Sequence, residues 1–110
     1  INTMTTISIF VILHVWTNAS PVSGYDPNIW RKDFAGAWIR RDAYGQHTSY
    51  GWEVNHLIPI SAGGTNELGN LRALHWQNIQ TKGAASPIFK TSVSSDGDRN
   101  IQIEKTWQIQ

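Results

Sequence analysis

Gly51-Trp52-Glu53-Val54-Asn55-His56-Leu57-Ile58-Pro59-Ile60, then Gly63-Gly64-Thr65-Asn66-Glu67-Leu68, then Asn70-Leu71-Arg72-Ala73-Leu74-His75-Trp76-Gln77-Asn78, closed by Lys82-Gly83, is the stretch that decides the fold. Tyr50 to Val54 reads as a strand, and Leu57 to Ile60 continues it. Residues 61–66 form a loop by composition, because paired glycines supply backbone angles that other residues avoid. Asn66 to Leu71 leads into a helix predicted over 70–81, with Leu71 and Leu74 as its inner contacts. Lys82-Gly83 ends that helix with a cation in the last turn and then a glycine.

Upstream, Phe34 to Arg40 is apolar and aromatic and reads as another strand, with Trp38 and Arg40 on one side and Ile39 and Arg41 on the other. Tyr44-Gly45 is a turn. Asp26 before Pro27 has the form of an N-cap followed by proline, which predicts a short helix over 27–33. The apolar run Ile7 to Leu13 is far shorter than the roughly eighteen residues that span a bilayer, so it reads as a buried N-terminal strand or helix. A signal peptide with Asn18-Ala19-Ser20 as its exit is the alternative, although no Lys or Arg precedes the run. The tail, 84–110, carries Pro87, Phe89, a polar turn at 94–98 and Ile101 with Ile103, which fits two short strands or a strand wrapped over the core. The expectation is an α+β fold in one small domain: an apolar segment at 1–20, a core at 51–83 and an extension at 84–110.

The chain has 110 residues and no cysteine, so disulfides, disulfide-linked partners and thiolate metal sites are excluded. Any bound ion would need His, Asn, Asp, Glu or water as ligands. Charged residues are 15% of the chain, below the usual quarter or so, and net charge is +1. That is no general basic field for holding nucleic acid, so positive charge would have to act locally. Six tryptophans suit the core of a small cysteine-free domain better than base stacking.

The ordered block at 51–83 resembles the HNH endonuclease family, also called ββα-metal or His-Me finger nucleases. In that family a strand ending in an acidic residue plus His enters a Gly-Gly loop, and an Asn-Leu pair opens a helix ending in Lys-Gly. Trp30-Arg31-Lys32-Asp33 through Tyr44-Gly45 is similar to what precedes this core in small cysteine-free bacterial members. The resemblance implies a ββα-metal core with a flanking short helix and peripheral strands. It also implies a metal-dependent hydrolase of DNA phosphodiester bonds, carrying one divalent ion (Mg, Mn, Ni or Zn). It makes His56 the general base, Asn55 the first metal-ligand position, and Asn70 the residue that ties the Gly-Gly loop to the histidine strand. The chemistry agrees: a neutral imidazole takes a proton from water near neutral pH, and neighbouring strand residues point to opposite faces.

The sequence departs from the family pattern twice. Asn55 is a neutral amide where Asp or His is usual, and the helix ligand position, nine after Asn70, is Ile79, which coordinates nothing. Asn78 is a second candidate ligand, one residue earlier, but one residue on a helix is a rotation of about 100°. The expected ion is therefore weakly bound, and the alternative reading is a degenerate HNH domain kept for binding nucleic acid or protein. His75 reads as a packed or hydrogen-bonded residue, and His14 and His47 as ordinary packed or surface histidines. Arg72 on the motif helix, Lys82 at its end, and Arg40-Arg41 are the candidate phosphate contacts. Glu53 shares a strand face with Asn55 and is an alternative source of the carboxylate that Asn55 lacks; the preferred reading is structural, pairing with an arginine such as Arg40 or hydrogen-bonding the neighbouring turn. DNA is the expected partner, no membrane is expected, and the expected location is the cytoplasm, or outside the cell if the apolar run is a signal peptide.

Overall fold

The structure is a computed structural model and describes residues 7–109. Two helices and three two-stranded antiparallel sheets follow in the order α1 (Ile9–Asn18), β1 (Trp30–Lys32), β2 (Trp38–Arg40), β3 (Trp52–His56), β4 (Leu71–His75), α2 (Trp76–Lys82), β5 (Ile88–Asp96) and β6 (Arg99–Gln108). The architecture is mixed α and β, with β3, β4 and α2 forming a continuous strand–strand–helix unit. Among the described residues no helix is long and apolar enough to cross a membrane.

The apolar N-terminal run forms a helix. Ser8 caps α1, its hydroxyl accepting from the Val11 N–H at 3.2 Å. Its inner face buries Val15 and Trp16 against Ile39, Trp52, Val54, Leu71 and Ala73. The Trp16 and Trp52 rings meet at 5.4 Å, and each indole N–H reaches a carbonyl, of Pro27 and Arg40 respectively. That core fixes which face of the β3–β4 hairpin looks toward α1: the Trp52, Val54, Leu71 and Ala73 side.

Four elements differ from expectation. The strand read over Phe34 to Arg40 is confined to Trp38–Arg40, because the Asp33 carboxylate accepts from Ala35 N–H and Ala37 N–H and folds residues 34–36 into a turn. The helix predicted over 27–33 is one turn, with the Asp26 carboxylate accepting from Asn28 N–H, after which Trp30–Lys32 pairs with β2. The strand through Ile60 stops at His56, and residues 60–62 make a short 3-10 turn instead. Most consequential, the helix predicted over 70–81 begins only at Trp76. Leu71-Arg72-Ala73-Leu74-His75 is β4, in register with β3 from Trp52↔His75 to His56↔Leu71. All but Arg72 are buried, so pairing and burial override the helical propensity of Leu, Arg and Ala. The tail is a long hairpin, with strands of 9 and 10 residues and an irregularity between Thr91 and Val93.

Candidate active site

His56 ends β3 half-buried at the mouth of a cavity of about 590 Å³ lined by Ile7, Ser8, Val11, Val54, Ile60, Asn66 and Leu71. Its Nε2 lies 2.8 Å from Asn66 Oδ1. An amide oxygen only accepts, so Nε2 carries the proton and Nδ1 keeps the free lone pair. Asn66 is a contact of His56 that sequence reasoning missed; its only signal is its place in the Gly-Gly-Thr-Asn loop ten residues after His56.

Asn70 precedes β4. Its Oδ1 accepts from Ile58 N–H at 2.9 Å, and its Nδ2 donates to Ile58 O and Thr65 O, each at 2.9 Å. The side chain thus joins the exit of β3 to the loop that carries Asn66. The loop also requires glycine, because a Cβ on Gly64 would lie 1.8 Å from Ile58 O.

The helix side of the unit is arranged differently. Asn78 is fully buried; its Oδ1 accepts from Ser92 N–H and Val93 N–H, and its Nδ2 donates to Asp33 Oδ2 and Val93 O. Both lone pairs of that oxygen are occupied, so the place given to Asn78 as a metal ligand is corrected: it binds α2 to β5. Lys82 is also corrected as an outward phosphate contact. It is 3% exposed, its Nζ donates to His56 O at 3.2 Å and lies 5.0 Å from the Phe89 ring centre, and burial lowers its pKa. Lys82 therefore braces the backbone of His56.

Sequence reasoning also missed Asp33. Its buried carboxylate accepts from Ala35 N–H, Ala37 N–H, His75 N–H and Asn78 Nδ2. Burial pushes its pKa up, and the four donors oppose that shift. His75 is buried, with Nδ1 accepting from Gln77 N–H as the cap of α2 and Nε2 donating to Ser49 O. Desolvation lowers its pKa, opposed by the Ser49 contact and the Asp33 charge. His47 stacks on Trp76 at 4.4 Å.

Arg72 lies on β4, not on a helix, opposite Asn55. Arg40 pairs with Asp42 at 2.8 Å, not with Glu53, and its guanidinium covers Trp30. Arg40 and Arg41 stand at the Trp52 end of β3, since Arg40 O accepts from the Trp52 indole; four strand steps separate that end from His56, about 13 Å. Glu53 faces Tyr44, whose pKa is raised by burial and then by the Glu53 charge.

The fit for a divalent ion can be tested on the donors present. Asn55 Oδ1 is buried without a hydrogen-bond partner, the only such side-chain atom among the described residues, so a cation there would find one acceptor. Nothing completes the set. Asn78 is saturated, Ile79 has no donor atom, and among the described residues no three His, Cys, Asp or Glu side chains group to hold an ion. These residues do not fit a divalent site.

Residues 43–79 match the family model described as HNH endonuclease. The matched segment begins at the end of the turn after β2 and ends inside α2, with His56, Asn66 and Asn70 within it. No curated protein and no solved structure matches the chain.

Proposed function

We propose that this chain is an HNH-type nuclease that hydrolyses phosphodiester bonds in DNA, with His56 as general base. The observation that carries the reading is the His56–Asn66 contact at an open cavity, within the segment that matches the HNH family. With Nε2–H held by Asn66, Nδ1 takes the proton of an attacking water, the new P–O bond forms, and the leaving oxygen departs on the opposite side of the phosphorus. Asn70 and Lys82 hold the strand exit and the His56 backbone in place, so the base does not have to be positioned at each turnover. The β3–β4–α2 unit is read as the ββα part of a ββα-metal core, and no step is routed through an ion.

Nicking of supercoiled plasmid tests this, with no added ion and with Mg, Mn, Ni or Zn. Cleavage by the chain and its loss in a folded His56→Ala variant support the reading. Absence of cleavage under every condition from a folded sample sinks it.

Asn55, Ile79 and the saturated Asn78 favour a second reading, a degenerate HNH domain that binds nucleic acid or protein without cutting. The double variant Asn55→Asp with Ile79→Asn decides between them: cleavage by that variant alone establishes degeneracy.

A further inference from the structure

We propose a phosphate subsite built by His14 and Asn18 of α1 with Arg72 of β4, which takes a backbone phosphate flanking the one at His56. It rests on the nuclease reading and names where the strand runs. A cavity of about 480 Å³ is lined by His14, Asn18, Leu68, Gly69 and Arg72, and no acidic side chain lines it. Arg72 Nη1 is fixed by Gly69 O and Leu71 O, each at 2.9 Å. Its Nε and Nη2 make no hydrogen bond among the described residues, and Arg72 is in no ion pair there. A guanidinium held at one corner with its other donors unused is prepared for a phosphate oxygen pair. His14 and Asn18 stand one turn apart on α1 and contact each other at 2.8 Å, adding polar groups to the opposite wall.

The location joins this cavity to the His56 site. Val11 lines the His56 cavity, and His14 and Asn18 line this one, at spacings of three and four that keep them on one stripe of α1. Val11 lies five residues from the midpoint of His14 and Asn18, about 8 Å along the helix. Phosphates on one duplex strand advance by roughly 3.4 Å of axis each, so a strand running along α1 reaches both cavities within about three steps. On the hairpin Arg72 pairs with Asn55, on the face opposite His56, and its guanidinium reaches the α1 side at the Gly69 end of β4.

Two measurements test the subsite. Anisotropy of a labelled short DNA duplex across a salt series gives affinity and the slope of log K against log salt. Arg72→Gln is expected to weaken binding about tenfold at low salt and to reduce the slope by about one. His14→Ala, at an exposed position away from the Gly69 and Leu71 carbonyls, is expected to weaken binding about threefold, and Arg72→Lys to fall between wild type and Gln. The second measurement is titration with inorganic phosphate, followed by NMR of the His14 ring and Arg72 Nε, where saturable shifts absent in Arg72→Gln are expected. DNA binding with an unchanged slope in Arg72→Gln overturns the subsite, whatever phosphate does, and leaves the nuclease reading to the plasmid assay. Saturable phosphate binding without any DNA binding upholds an anion site and overturns its nucleic-acid ligand. No response to either ligand overturns the proposal.

Discussion

The two flanks of the β3–β4 hairpin use their polar groups in opposite ways. Toward α1 and the Gly-Gly loop, His56 Nδ1 and two nitrogens of Arg72 have no protein partner among the described residues, and both border open cavities. Toward α2, Asn78, Asp33 and His75 satisfy one another and the backbone of β5, and Lys82 lies buried on Phe89. One flank leaves groups without protein partners, while the other has committed them to the fold. Residue type alone does not separate these cases, since Asn66 and Asn78 are the same amide in different service.

The comparison can be broken most severely at His56. Replacing it with Ala is expected to lower plasmid cleavage about 1000-fold with no change in thermal unfolding, the signature of a reserved group. Asn78→Ala should give the opposite signature. It leaves Asp33 Oδ2, Ser92 N–H and Val93 N–H short of partners in a buried setting, and a loss of about 3 kcal/mol in denaturant unfolding is expected. Asn66→Ala tests how far the loop fixes the imidazole: a loss of about tenfold in cleavage is expected, at unchanged stability. The smallest effect is a pH slope. The folded state holds His75 below its ordinary 6.5, so the unfolded chain binds the extra proton, and stability falls as pH drops from 6.5 toward the lowered folded value. Asp33, raised above 3.8, acts in the opposite direction in both proteins, so the difference between wild type and His75→Gln isolates the imidazole. Thermal unfolding at about pH 7.5 and pH 5 should show a flatter response in the variant.

The strand that ends at His56, the Gly-Gly loop after it and the Lys-Gly end of α2 were legible because they depend on local chemistry. The start of α2 was not, because Leu71 to His75 has a helical composition and becomes a strand only through β3. Asp33 was invisible as a hub, since its partners His75 and Asn78 lie 42 and 45 residues away. Lys82 was legible as the end of a helix, but the inward turn of its side chain toward His56 O is a tertiary fact.

The Asp33 contacts bear on modularity. The segment that matches the HNH family, residues 43–79, takes a carboxylate from residue 33 at the start of its helix and strand pairing for its buried amide from residues 92 and 93. Cut out at those limits, it would carry its base and its loop but not the anchors that orient the helix beside them. The portable unit is thus longer than the recognisable one, and a graft into another scaffold needs the span from α1, which packs on the β3–β4 face, to β5.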